Sequence, residues 1–112
     1  MRKPIVTSIA LLCAALVLAT AAAASSGQSS RPTWLPSVWW RLAVCETGGN
    51  WRHDSGSFQG AFGIYHGTWD TYRLPGFPTD AHLATPKQQY RVAQRIAANH
   101  SMYAWGCYRV IR

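Results

Sequence analysis

The residues that could do chemistry centre on CETGGNW, positions 45–51, which contains Glu46, the only glutamate in the 112-residue chain. Two glycines, Gly48 and Gly49, follow it closely, and Trp51 ends the stretch. Cleavage of a glycosidic bond requires a carboxylic acid that can protonate the leaving oxygen. Glu46 is therefore a candidate general acid, and the glycines leave room beside it for a bulky substrate. The alternative interpretation is a solvated glutamate at a helix end.

A second carboxylate would decide which reaction such an acid supports. Asp54 lies beyond the glycine turn and could face the same cleft as Glu46. Glycosidases that hydrolyse with two carboxylates need this base or nucleophile. Asp70 and Asp80 are interpreted as a surface residue and a loop residue. If Asp54 does not reach the cleft, a single acid/base can still support lytic transglycosylation, and the sequence leaves both reactions open.

A helix must hold Glu46 in place. The sequence predicts one from Val38 to Glu46, with Ser37 as the N-cap. Glycines 48 and 49 permit left-handed backbone and should end this helix. Glu46 then lies at the negative end of the helix dipole, which disfavours an anion there.

A second helix has the clearest boundaries in the chain. Thr85 is its predicted N-cap, Pro86 occupies the first turn and Gln88 completes a capping box. The helix should end at residue 99 or 100. Its predicted buried face comprises Gln89, Val92, Ala93, Ile96 and Ala97.

The rest of the folded region is less regular. Glycines alternate with aromatic residues over 51–67, which predicts a loop with short β pieces that could pair as a hairpin. Thr68 is expected to cap a short helix that runs through Leu74, and Trp40 and Trp105 are expected in the core. The predicted fold class is therefore α+β, mostly α, with a short β or loop insert.

The amino terminus has the features of a secretory signal. Arg2 and Lys3 precede an apolar run over 5–19 and small residues over 20–24. We expect a signal peptide at 1–24, a flexible linker at 25–34 and one domain at 35–112. A retained membrane anchor and a lipid attached to Cys13 are weaker alternatives. The expected location is outside the cell, without stable membrane insertion.

Cysteine usage agrees with an oxidising compartment. Removal of the signal leaves Cys45 and Cys107, so one disulfide is expected between them. No further ligands stand at metal-binding spacing, so neither a metal nor another cofactor is expected.

After removal of the predicted signal, nine Lys and Arg against four Asp and Glu leave a formal net charge of about +5, which suits an anionic partner such as a cell wall. Nucleic-acid binding has little support, because no run of basic residues follows the signal. A membrane-active antimicrobial protein is disfavoured, because no basic amphipathic helix stands out.

Four motifs in order resemble the resuscitation-promoting factor family of actinobacteria: VWWRLAVCETGGNW, GAFGIYHGTWDTY, DAHLATPKQQYRVAQRI and WGCY. The resemblance covers about residues 36–108. The domain of that family is similar to lysozyme and the lytic transglycosylases, which implies a small lysozyme-like fold.

The resemblance implies a secreted enzyme that cleaves the β-1,4 bond between N-acetylmuramic acid and N-acetylglucosamine in peptidoglycan. The protein is expected to be a monomer. The resemblance further implies that Glu46 is the catalytic residue. It also implies a disulfide between Cys45 and Cys107, in agreement with the pairing expected from the cysteine count. It also implies that Thr68 and Trp69 line the cleft, and it suggests cooperation with a peptidoglycan endopeptidase. Aromatic side chains in this loop region usually stack on sugars, so Tyr65 joins the expected substrate-binding residues.

The chain departs from the family pattern at three positions. Gly63 and His66 stand where the family often has glutamines, and Asp54 stands where it tends to have asparagine. His66 could take over a hydrogen bond to substrate, as could Asp54. A non-catalytic module for wall binding or signalling is therefore a further alternative.

Overall fold

Four α-helices and a two-stranded sheet form the part of the chain that the computed structural model describes, residues 30–112. The predicted signal peptide and most of the predicted linker lie outside these residues. In chain order the elements are α1 (Ser37–Thr47), β1 (Phe58–Gln59), β2 (Ile64–Tyr65), α2 (His66–Tyr72), α3 (Pro86–His100) and α4 (Tyr108–Ile111). Short 3₁₀ turns at Ala81–Leu83 and Met102–Ala104 flank α3.

Helix α1 begins one residue earlier than predicted. Its N-cap is Pro36, with extended backbone, so Ser37 is already helical and the prediction that it caps the helix is wrong. The predicted glycine stop is confirmed. Gly48 has φ of +73°, and the backbone N–H groups of Gly48 and Gly49 donate to the carbonyls of Val44 and Ala43.

The boundaries predicted for α3 are confirmed. The Thr85 hydroxyl accepts a hydrogen bond from the Gln88 N–H, and the Gln88 side chain accepts one from the Thr85 N–H. Gln89, Val92, Ala93 and Ile96 are buried, and Ala97 is half-buried.

The expected hairpin is present between α1 and α2. Strands β1 and β2 are antiparallel, with Phe58 opposite Tyr65 and Gln59 opposite Ile64. Gly60 and Gly63 bound the four-residue loop, and both have positive φ, +76° and +55°. The loop thus needs glycine at both positions.

Helix α2 corrects a second prediction. It begins at His66, directly after β2, and ends at Tyr72, so Thr68 lies inside the helix and does not cap it. The reason is that Tyr65 keeps extended backbone and serves as the N-cap. The strand therefore passes into the helix without an intervening turn.

Aromatic side chains fill much of the core. The Trp39 ring meets Phe62, Tyr90 and Trp105 edge to face, with centroid distances of 5.4–5.5 Å. This geometry favours aromatic pairs beyond the area that they bury. Trp105 is buried as predicted, whereas Trp40 is only half-buried.

The predicted disulfide is confirmed, because Cys45 in α1 is bonded to Cys107 in the tail. The mostly helical domain with a small sheet and one disulfide confirms the predicted lysozyme-like class. Within residues 30–112, no helix has both the length and the apolar character that crossing a membrane requires.

Candidate functional site

Two adjoining cavities form a groove along the hairpin. They share the wall formed by Phe58, Gly63, Ala104 and Trp105. The cavity that contains Glu46 has a volume of about 370 Å³, and the other, lined by Tyr65, about 230 Å³. The site therefore lies where α1, the hairpin and the tail after α3 meet.

The carboxyl group of Glu46 is held at one oxygen. Its Oε1 accepts a hydrogen bond from the backbone N–H of Cys107 at 3.2 Å. Its Oε2 points toward the hairpin, because a Cβ placed on Gly63 would lie 3.8 Å from it. No hydrogen bond from residues 30–112 reaches Oε2, which leaves this atom available to a substrate in the cavity.

The wall opposite Glu46 is fixed by hydrogen bonds to the hairpin loop. The Thr47 hydroxyl donates to the carbonyl of Ala61 at 2.7 Å. The indole N–H of Trp105 donates to the carbonyl of Phe62 at 2.9 Å. The first bond ties the loop to α1, which carries Glu46, and the second ties it to the tail, whose Cys107 N–H is bonded to Glu46.

Gln89 of α3 supports the same loop from beneath. Its Oε1 accepts from the Ala61 N–H at 2.9 Å, and its Nε2 donates to the carbonyls of Trp51 and Ala84 at 2.9 and 3.0 Å. The side chain is fully buried, so these bonds satisfy polar groups that water cannot reach. A glutamine on a predicted buried helix face was the sequence signal for this role.

The far part of the groove is more open. The rings of Phe58 and Tyr65, 50% and 47% exposed, form a cross-strand pair with centroids 5.9 Å apart. Thr68 and His100 also line this part. The hydroxyl of Tyr72 lies 2.7 Å from Nε2 of His100 and fixes that imidazole at the groove edge.

The structure brings together Glu46, Tyr65 and Thr68 of the predicted site. Asp54 does not line the groove, contrary to the expectation from its position. Its Oδ1 accepts from the Gly56 N–H at 2.9 Å, and its Oδ2 lies 3.5 Å from Nε2 of His82. The side chain therefore faces away from Glu46.

Two other expected substrate-binding residues also lie elsewhere. Trp69 is 0% exposed, and its indole N–H donates to the carbonyl of Pro78, so it belongs to the core. His66 is exposed beside Tyr65 but lines neither cavity. Because α2 begins at His66, Thr68 faces the groove while its neighbour Trp69 faces inward.

Neither His53 nor His100 is among the residues that the sequence predicts for the site, yet both line the groove. Side chains alternate between two faces over residues 53–55, and this alternation is the sequence signal that could have identified His53. His53 and Ser55 face the Glu46 cavity, whereas Asp54 between them faces His82. Within residues 30–112, no three His, Cys, Asp or Glu side chains cluster closely enough to hold a metal ion.

Comparison with known proteins assigns this chain to a family. The family model described as "Transglycosylase-like domain" matches residues 35–108. Resuscitation-promoting factor RpfC of Mycobacterium tuberculosis is 31% identical over 104 residues, which is 92% of this chain and 69% of RpfC. The chain belongs to the resuscitation-promoting factor family.

Other members of the resuscitation-promoting factor family are longer. Rpf1 of Corynebacterium glutamicum is 39% identical over 93 residues, which is 82% of this chain and 48% of Rpf1. RpfA of Mycobacterium tuberculosis is 30% identical over 108 residues, 93% of this chain and 26% of RpfA. The chain thus spans half or less of the length of these two relatives. The family resemblance inferred from the sequence motifs is confirmed.

Proposed function

We propose that this protein cleaves the β-1,4 bond between N-acetylmuramic acid and N-acetylglucosamine in peptidoglycan, as a lytic transglycosylase. The observation that carries the proposal is that Glu46 is the only carboxylate lining the groove within residues 30–112. The match of residues 35–108 to a transglycosylase-like domain supports peptidoglycan as the substrate class. The proposed reaction therefore uses one acid/base.

The position of Oε2 of Glu46 suits both proton transfers. With substrate bound, the protonated carboxyl donates its proton to the glycosidic oxygen as the bond to the anomeric carbon breaks. The resulting carboxylate then accepts the proton of the C6 hydroxyl of the muramyl residue. The oxygen of that hydroxyl attacks the anomeric carbon and closes a 1,6-anhydro ring, so no water is consumed. The bond from Cys107 N–H to Oε1 keeps Oε2 directed into the groove.

Tyr65 and Thr68 are the proposed substrate-binding residues at the far part of the groove. The exposed Tyr65 ring, paired with Phe58, offers a face for a sugar to stack on. The proposed substrate-binding residues do not include Asp54, His66 or Trp69, because none of these three lines either cavity.

The proposed setting is the cell wall outside the producing cell, where a monomer acts on glycan strands. Without the proposed signal, nine Lys and Arg against four Asp and Glu leave a formal net charge of +5, which supports attraction to an anionic polymer. A secretory signal at 1–24 and cooperation with a peptidoglycan endopeptidase are part of this proposal.

Product analysis tests the reaction. We expect purified peptidoglycan digested by the protein to give muropeptides that end in 1,6-anhydromuramic acid, identified by mass spectrometry. Asp54→Asn should give the same products at a similar rate. Products with only reducing, water-added ends, lost in Asp54→Asn, would instead establish a hydrolytic muramidase that uses two carboxylates.

A further inference from the structure

His53 lines the Glu46 cavity from the loop between α1 and β1. Its backbone is fixed on both sides, because its N–H donates to the carbonyl of Asn50 at 3.1 Å and its carbonyl accepts from the Gly60 N–H at 2.8 Å. The side chain is half-buried. The imidazole is therefore presented to the cavity by an ordered segment of the chain.

The imidazole of His53 has no hydrogen-bond partner among residues 30–112, unlike the other neutral polar side chains of this cavity. The Thr47 hydroxyl is bonded to Ala61, and Ser55 Oγ both donates to the Phe58 carbonyl at 3.1 Å and accepts from its N–H at 3.3 Å. Glu46 keeps Oε2 free. The cavity therefore offers two unoccupied polar groups to a ligand, the proposed acid and an imidazole.

Apart from Glu46, which is bound to the Cys107 N–H, no carboxylate of residues 30–112 lines this cavity to compete for the imidazole of His53. Asp54, the nearest carboxylate along the chain, is directed to His82 and does not face the cavity. An imidazole N–H can donate a hydrogen bond, and a carboxylate is the strongest acceptor that a glycan can offer. Muramic acid carries such a group on its lactyl ether where no peptide is attached. Where a peptide stem is attached, that carboxyl is an amide, and the stem carries carboxylates of its own.

We propose that His53 is a specificity-determining residue that donates a hydrogen bond to a carboxylate on the glycan strand. The groove then prefers carboxylate-bearing glycans to neutral N-acetylglucosamine oligomers. This inference rests on the proposed function, since it concerns how the same groove selects its substrate.

Binding measurements in a Glu46→Gln background test the inference without consuming the ligand. Three ligands are compared: soluble peptidoglycan fragments with peptide stems, stem-free glycan strands with the lactyl carboxylate exposed, and neutral N-acetylglucosamine oligomers. His53→Phe keeps a planar ring but has no N–H donor, so it should weaken binding of a carboxylate ligand by about tenfold, which corresponds to one charge-assisted hydrogen bond, and leave the neutral oligomer unchanged. Loss with the stem-free strands alone identifies the lactyl carboxylate, loss with the stem-bearing fragments alone identifies a stem carboxylate, and loss with both shows that His53 binds a carboxylate from either source.

Arg52→Gln is the matched control, because Arg52 is the exposed neighbour of His53 and lines neither cavity. It should leave the selectivity of all three ligands unchanged. Equal weakening of all three ligands by His53→Phe, or no weakening of any, would overturn the inference. Failure of the parent protein, which retains Glu46, to cleave peptidoglycan would count against the proposed function alone, since the binding comparison does not depend on turnover.

Discussion

The two ends of the groove are held by different kinds of contact. The Glu46 end depends on links across the chain: the Cys45–Cys107 disulfide and the bond from Cys107 N–H to Glu46 Oε1, which span 62 and 61 residues. The Tyr65 end depends mainly on the hairpin, whose two strands place Phe58 beside Tyr65. One end is therefore fixed by tertiary links and the other mostly by local pairing.

This difference matches what each end is proposed to do. Proton transfer requires an oxygen atom placed within a fraction of an ångström of the bond that breaks, which demands a rigid support. Stacking a sugar on an aromatic face tolerates small displacements. Variants at the Glu46 end should therefore affect mainly cleavage, and variants at the Tyr65 end mainly glycan binding.

The largest effect should follow from Glu46→Gln. The amide oxygen can still accept from Cys107 N–H, so the fold and glycan binding should persist, while loss of the acid should slow cleavage by roughly 10²–10⁴-fold. Cleavage rate and glycan affinity measured side by side check this. Asp70→Asn is the control, since Asp70 is an exposed carboxylate paired with Arg73. Cleavage by Glu46→Gln at the parent rate would show that Glu46 is not the acid.

Removal of the disulfide should come next. Cys45→Ala combined with Cys107→Ala should lower the free energy of unfolding by about 2–4 kcal/mol, measured by urea denaturation. Cleavage should fall further than glycan binding, because the disulfide holds in place the backbone N–H of residue 107 that orients Glu46. A reductant should reproduce the loss in the parent protein and change nothing in the double variant. Equal losses of binding and cleavage would contradict the separation of the two ends.

A smaller effect is expected at the far end. Tyr65→Ala should weaken glycan binding roughly three- to tenfold by removing a stacking face, with little change in rate at saturating substrate. Tyr103→Ala is matched in exposure, 48% against 47%, but Tyr103 lines neither cavity. A similar loss of binding in both variants would show that Tyr65 has no special contact.

The smallest effect is expected at Gly63, which lines both cavities of the groove. Gly63 has φ of +55°, so Gly63→Ala should cost roughly 1 kcal/mol of folding stability. Its methyl group would also occupy space near Glu46 Oε2 and should slow cleavage. Gly76→Ala carries the same kind of strain, with φ of +85°, in a loop outside the groove, and should change stability without changing the rate. Thermal unfolding and cleavage assays distinguish the two.

Signals that lie within a few residues of each other predicted much of this molecule. The capping box at Thr85 and Gln88 fixed the start of α3, and Gly48 fixed the end of α1. Counting cysteines was enough to predict the disulfide. Glu46 stood out because it is the only glutamate, and its motif gave the family. These features are either local in the chain or independent of geometry, so no knowledge of packing was needed.

Only the tertiary structure decided which side chains face the groove. Thr68 and Trp69 are adjacent and were expected to act together, yet one lines the groove and the other is buried beneath it. Asp54 was expected beside Glu46, but its contact with His82 turns it away and leaves His53 in the cavity. The sequence determined the end of α1, the bounds of α3, the disulfide and the candidate acid, because their signals are local in the chain or depend on residue type alone. The lining of the groove depends on partners distant in the chain, and folding alone brings those partners together.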